Sequence, residues 1–209
     1  MVRLLIATSN PGKLREIRDL LDIYGLVIVD PGMIGIRSQV EETGSQYADN
    51  AHLKASISAR TSGIWTLADD SGLEVDVLGG APGLHSARLG GSGSSDALRR
   101  RLLLEKLHPH PQPWTARFKC VVALASPEGG VDLAEGTCLG EIIATERGSA
   151  GFGYDPIFLV QGTDHTMAEL SLEEKNRLSH RAKAIKDLLP TLKKRLGLEE
   201  GDLGSGNRE

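Results

Sequence analysis

The sequence predicts a mixed α/β fold, on three observations. Strand-like and helix-like segments alternate through the first half of its 209 residues. Longer β-type runs joined by Pro127-Glu128-Gly129-Gly130 follow, and an amphipathic helical pattern comes near the end. A hydrophobic share of 40% over this length can bury one sizeable core, so residues 1–196 are expected to form a single domain.

Val2 to Ala7 reads as a strand. Leu14, Ile17 and Leu21 then recur at helical spacing, with Asn10 as N-cap and Pro11 at the first helical position, giving a helix to about Tyr24. Leu26 to Val29 is a second strand. Ala48, Ala51, Ala55 and Ala59 form a small-residue stripe on a helix from about Ser45 to Ser62, suited to close packing on a sheet; Asn50 and Lys54, four apart, share a neighbouring face. Ile64 to Ala68 and the alternating Leu73 to Val77 read as two further strands.

Gly79 to Gly83 and Gly90 to Ser95 are loops, and Ser95 caps a helix through Leu107 before Pro109, Pro111 and Pro113 break the chain. Thr115 to Ala125, Val131 to Ala134 and Leu139 to Glu146 read as an antiparallel meander. Ser171-Leu172-Glu173-Glu174 is a capping box for a short helix, and Ser179 caps a final one carrying Ala182, Ile185, Leu188, Leu189 and Leu192. Pro190 predicts a kink or restart near Leu189. Residues 197–209, mostly Gly, Glu and other polar types, are expected to be a disordered tail.

Three polar clusters carry chemistry. In Leu67-Ala68-Asp69-Asp70-Ser71-Gly72 two carboxylates and a hydroxyl end an apolar run. Neighbouring side chains on an extended backbone point to opposite sides, so one Asp can meet a structural partner while the other enters a cleft to hold a metal or activate water. Asp-Asp-Ser-Gly is equally good turn chemistry. Thr8-Ser9-Asn10-Pro11-Gly12-Lys13 places two hydroxyls and a lysine at a helix N-terminus, a credible phosphate site, though it is not a Walker A loop. Gly151-Phe152-Gly153-Tyr154-Asp155-Pro156 sets a Phe between glycines in a chain with few aromatics, where a ring could stack a nucleobase; the alternative is a turn whose aromatics plug the core.

A net charge of −4 argues against a general nucleic-acid binder. Cys120 and Cys138 have no metal-ligand spacing and offer no disulfide framework, which fits a reducing cytoplasm. Neither a signal peptide nor a membrane-spanning run is expected.

These clusters, with Glu41-Glu42-Thr43-Gly44, Asn50 to Ala55, Gly79 to Gly83, Ser86-Ala87-Arg88 and Ser179-His180-Arg181, closely resemble the inosine triphosphate pyrophosphatase family, in order from about residue 3 to 195. The resemblance implies an elongated mixed sheet in two lobes with the nucleotide in the cleft between them. It also implies a homodimer and Mg2+-dependent cleavage of inosine and xanthosine triphosphates to monophosphate and pyrophosphate. On the matching positions, Thr8, Ser9, Asn10, Pro11, Gly12 and Lys13 are the phosphate loop, Glu41 a metal ligand, and Asp70 the proton acceptor and second metal ligand. Ser71, Phe152, Gly153, Tyr154, Asp155, Lys175, His180 and Arg181 are substrate contacts, and Lys54 faces the phosphates. After Arg88 this chain departs from many relatives, with Leu89-Gly90-Gly91-Ser92-Gly93-Ser94-Ser95 in place of an aromatic residue and a short acidic loop.

The chemistry fits that resemblance. Triphosphate hydrolysis needs charge neutralisation more than covalent chemistry, and magnesium is commonly held by one or two carboxylates plus substrate phosphates. Donors on Lys175, His180 or Arg181 facing a 6-keto oxygen would reject adenine, since an unpaired buried donor costs roughly 1–3 kcal/mol. Taken alone, Lys54 reads as a solvated cation, Glu41-Glu42 as loop acids, and His180 and Arg181 as ordinary first-turn residues. Cations there oppose the helix dipole and so favour an anionic or acceptor-bearing partner. Two other readings stay open: a phosphohydrolase releasing orthophosphate, and a catalytically silent nucleotide-binding module.

Overall fold

The structure is a computed structural model that describes residues 1–36 and 40–198. Its single six-stranded mixed sheet runs β2-β1-β3-β4-β5-β6, with β1 (Val2–Ile6), β2 (Leu26–Val29), β3 (Thr66–Val75), β4 (Trp114–Ala125), β5 (Val131–Ile142) and β6 (Phe158–Val160). β1 pairs in parallel with β2 and β3, and the remaining neighbours are antiparallel. Helices α1 (Pro11–Leu20), α2 (Tyr47–Ser62), α3 (Asp96–Leu107), α4 (Leu172–Leu178) and α5 (His180–Leu196) flank it.

Alternation along the central strands sets the layers. Leu67, Cys120, Val122 and Leu124 join Ile17, Leu21, Ala184, Ile185 and Leu188 in a core under α1 and α5. On the other face Ala68, Val121, Ala123 and Ala125 meet Ala51, Ala55 and Ala59, so the alanine stripe brings α2 close to the sheet. A third cluster lies at the far ends of β3, β4 and β5, where Leu73, Val75, Phe118 and Ile142 pack with Leu103, Leu107, Tyr154 and Phe158. Leu67 belongs to the first cluster and Leu73 to the third, and Asp69 to Gly72 lies between them on β3.

Gly136 permits one close approach. A Cβ there would collide with backbone atoms of His180 and Ala184, so its bareness lets the start of α5 lie on β5.

Several expected boundaries change. Asp69-Asp70-Ser71-Gly72 does not end a strand: β3 runs through it, with Asp69 opposite Val122 and Asp70 opposite Val121, because full pairing to β4 outweighs the local turn propensity. β5 likewise joins the two runs expected at Val131 to Ala134 and Leu139 to Glu146, and stops at Ile142. Helix α1 ends at Leu20, short of Tyr24, and β6 had no recognisable run in the sequence. Pro190 lies inside a single α5, its ring exposed on the outer face. Of the expected tail, Gly197 caps α5 in the left-handed conformation and Leu198 packs on the core; residues 199–209 lie outside the described residues. Among the described residues no helix is long and apolar enough to cross a membrane.

Candidate active site

The adjacent carboxylates diverge as strand geometry requires. Asp69 points to the α1/α5 face, where its Oδ2 lies 3.0 Å from Lys13 Nζ and accepts from Arg181 Nε at 3.2 Å and Nη2 at 3.1 Å. Asp70 points to the α2 face, accepting from Asn50 Nδ2 at 3.0 Å and lying 3.5 Å from Lys54 Nζ.

Their protonation preferences diverge with them. Burial raises both, but around Asp69 the cations Lys13, Arg181 and Lys54 outweigh it and hold the carboxyl far below the usual range. Around Asp70 burial wins over Lys54, Lys13 and Asn50, leaving that carboxyl above its ordinary value. One acid is thus held as an anion while its neighbour's affinity for a proton is raised, the two environments pulling adjacent carboxyls in opposite directions.

The two adjacent acids of Glu41-Glu42 face different ways. Glu41 is exposed and outside the cleft, whereas Glu42 faces inward, 2.7 Å from Lys54 Nζ and 2.6 Å from Arg88 Nη2. Nothing local in Glu41-Glu42 distinguishes the two acids; the path of the loop does, and Asn50 fixes that path by accepting from Gly44 N at 2.8 Å while its amide holds Asp70. Lys54 Nζ therefore lies between the Glu42 and Asp70 carboxylates. Burial disfavours its charge, but Asp70, Asp69 and Glu42 keep it protonated. These two carboxylates form an all-oxygen donor set already sharing one cation, which fits magnesium. Among the described residues no group of three or more His, Cys, Asp or Glu side chains could hold a metal by itself, so substrate oxygens or water would complete any coordination.

The phosphate-loop residues are divided. Asn10 caps α1, its Oδ1 accepting from Gly12 N at 2.8 Å and Lys13 N at 3.2 Å, and Thr8 Oγ1 accepts from Asn10 N. Asn10 and Lys13 line the cleft; Thr8, Ser9, Pro11 and Gly12 shape the turn beneath. Gly12 abuts the aromatic ring of Phe152: a Cβ at this position would come within 3.0 Å of three ring carbons. The phosphate loop and the aromatic loop are in direct contact.

At the ring end, Lys175 Nζ and Arg181 Cζ lie 5.3 Å and 5.7 Å from the Phe152 centroid, within cation–π reach. Their donors are largely committed. Lys175 Nζ contacts Glu16 Oε1 at 2.7 Å and Asp155 Oδ2 at 2.6 Å, and Arg181 uses four of its five N–H groups on Asp69, Ser71 and Glu16. Asp155 also accepts from Phe152 N at 3.0 Å, which holds the aromatic loop.

Glu16, buried at 3% exposure on α1, is a residue that sequence reasoning missed. It lies between Lys175 and Arg181, and those cations outweigh its burial to hold the carboxyl below its usual range. Its signal was present: first-turn cations at Lys175 and Arg181 call for anions, and part of that demand is met by Glu16, Asp69 and Asp155.

His180 differs from its neighbours. Its ring stacks on Phe118 with centroids 4.7 Å apart, burial and then Arg181 and Lys175 push its pKa well below 6.5, and its Nδ1 has no partner among the described residues. It is a neutral imidazole on the cleft wall with an unused nitrogen.

One cleft is lined by Asn10, Lys13, Glu42, Asp70, Phe152 and His180, with Lys54 and Asn50 against the Asp70 carboxylate. Lysines 13 and 54 with paired carboxylates at one end, and an aromatic ring with a neutral imidazole at the other, define an α/β protein equipped for a ligand that is anionic at one end and flat at the other. A family model described as the Ham1 family matches residues 4–191, and the chain belongs to that family. It is 46% identical over 192 residues to a protein named dITP/XTP pyrophosphatase from Desulforamulus reducens, covering 91% of this chain and 96% of the relative. A relative of the same name from Nostoc sp. is 47% identical, with 90% and 93% covered. Among solved structures, a HAM1 protein from Coxiella burnetii superposes with a TM-score of 0.84 at 37% identity, over 93% of this chain and all of that one. The Staphylococcus aureus Ham1 protein gives 0.80 at 38% identity, with 92% and 99% covered.

Proposed function

We propose that this chain hydrolyses inosine and xanthosine triphosphates and their deoxy forms to the nucleoside monophosphate and pyrophosphate, with Mg2+, and so removes aberrant purines from the nucleotide pool. The observation that carries the proposal is the placement of Asp70 between Asn50 and Lys54, in the same cleft as Phe152 and His180, in a chain with near-full-length relatives named for that activity.

Lys13 and Lys54 hold the phosphate tail. Asp70, with its raised proton affinity, accepts the proton of the water that attacks the α-phosphorus as pyrophosphate leaves. Asn50 fixes the direction of that carboxylate. Asp70 and Glu42 would hold a magnesium ion, which when bound would supply charge neutralisation at the phosphates. At the ring end, His180 and the remaining N–H groups of Lys175 and Arg181 are the groups left to read the 6-keto edge, with Phe152 as the stacking surface.

The test is a panel of ITP, XTP, dITP, GTP, ATP and dTTP with and without magnesium, scoring monophosphate and pyrophosphate. Magnesium-dependent pyrophosphate from the first three supports the proposal; orthophosphate alone, or equal rates on ATP and ITP, overturns it. A homodimer in the cytoplasm belongs to the same reading, checked by light scattering and by imaging of the tagged protein.

A further inference from the structure

The middle residue of the aromatic loop, Gly153, is held at both its backbone N–H and its carbonyl by the first turns of α3. Gly153 N donates to Asp96 Oδ2 at 2.7 Å, and Gly153 O accepts from Arg100 Nη1 at 2.9 Å. Arg100 is anchored by a two-point pair with Glu146 at 2.8 and 2.9 Å. The second oxygen of Asp96 is taken by Arg99, whose Nη1 reaches Ala87 O at 2.7 Å in the Gly83–Arg88 turn. That turn offers Ser86 O to the Tyr154 hydroxyl at 2.9 Å, which closes the circuit. Asp96 borders the cleft, yet both its oxygens are committed to protein, so it does not present a free carboxylate to a ligand.

We propose that Asp96 and Arg100 are positioning residues that fix Gly153, and through it Phe152, and thereby set the affinity for the ring end of the nucleotide. The inference rests on the nucleotide hydrolase reading above. Gly153 adopts φ +61°, so the chain turns sharply between the two aromatics, and the clamp fixes where that turn occurs. Burial pushes the Asp96 carboxyl up, but the Gly153 N–H and Arg99 more than compensate; the clamp on the N–H is an ionised acceptor, the stronger kind.

Asp96→Ala and Asp96→Asn are compared with wild type, and Arg100→Met repeats the test from the carbonyl side. Hydrogen exchange across residues 151–154 reads the clamp itself; KM and kcat for inosine triphosphate, with inhibition by inorganic tripolyphosphate, read its consequence. The expected result is faster exchange and a KM raised about tenfold in Asp96→Ala, with kcat within about twofold and tripolyphosphate inhibition unchanged. Asp96→Asn, which keeps an acceptor oxygen, recovers part of the loss. Unchanged exchange, an unchanged KM, or tripolyphosphate inhibition weakened in parallel overturns the proposal. If wild type fails to hydrolyse inosine triphosphate, the functional reading falls alone, and the exchange data still decide the clamp.

Discussion

Asn50 Nδ2 donates to Asp70 Oδ2 at 3.0 Å while Asn50 Oδ1 accepts from Gly44 N at 2.8 Å, so one amide aligns the Asp70 carboxylate and the loop that carries Glu42. Asn50→Ala is expected to lower kcat by about tenfold or more, through loss of a hydrogen bond to a charged group worth roughly 1.5–3 kcal/mol. Steady-state kinetics and a thermal melt separate this from unfolding.

Asp70→Asn keeps the size of the side chain and an acceptor for Asn50 but cannot take the proton. Turnover should fall by about two to four orders of magnitude, the contribution typical of a general base, while nucleotide still binds. Calorimetric titration with nucleotide alongside initial rates checks both halves; normal turnover removes Asp70 from the mechanism.

Glu42 and Glu41 make a matched pair. Glu42→Gln should raise the magnesium concentration needed for half-maximal activity by about tenfold or more, whereas Glu41→Gln should leave it unchanged. The reverse ranking would return the ligand role to Glu41.

Removing Glu16 breaks two buried ion pairs at once, leaving Lys175 with Asp155 and Arg181 with Asp69. Glu16→Ala is expected to destabilise the fold by about 3–5 kcal/mol, the cost of breaking a buried pair. Urea unfolding measures it, and a loss below about 1 kcal/mol would contradict the bridging role.

His180 stays neutral in the fold because burial lowers its pKa. In the unfolded chain it binds a proton as pH falls through about 6.5, so the unfolded state gains protons first. Stability should therefore be full above that value and decline below it, with this residue contributing up to about 1.4 kcal/mol per pH unit. Melting curves from pH 7.5 to 5 on wild type and His180→Phe test this: the variant should show a shallower decline.

Much of this was legible in the sequence because local physics and tertiary context agreed. Asn10, Ser95, Ser171 and Ser179 cap helices as their types suggest, and the alanine stripe packs where small residues allow. The opposed directions of Asp69 and Asp70 follow from the strand repeat alone. What was hidden depended on pairing over distance. Asp-Asp-Ser-Gly stays extended because β4 lies beside it, Glu42 turns inward because Asn50 holds the loop, and Glu16 is recognisable only once Lys175 and Arg181 are brought to it. The donors expected from those two cations were assigned to a ligand when buried carboxylates already take most of them.

Asp69 and Asp70 are joined by one peptide on an interior strand, yet each answers to a different set of partners. A displacement of Lys13 or Arg181 would thus act on a carboxylate one residue away from Asp70. Substitution of Asp69 is therefore expected to alter the surroundings of Asp70 while leaving its bonds to Asn50 and Lys54 in place.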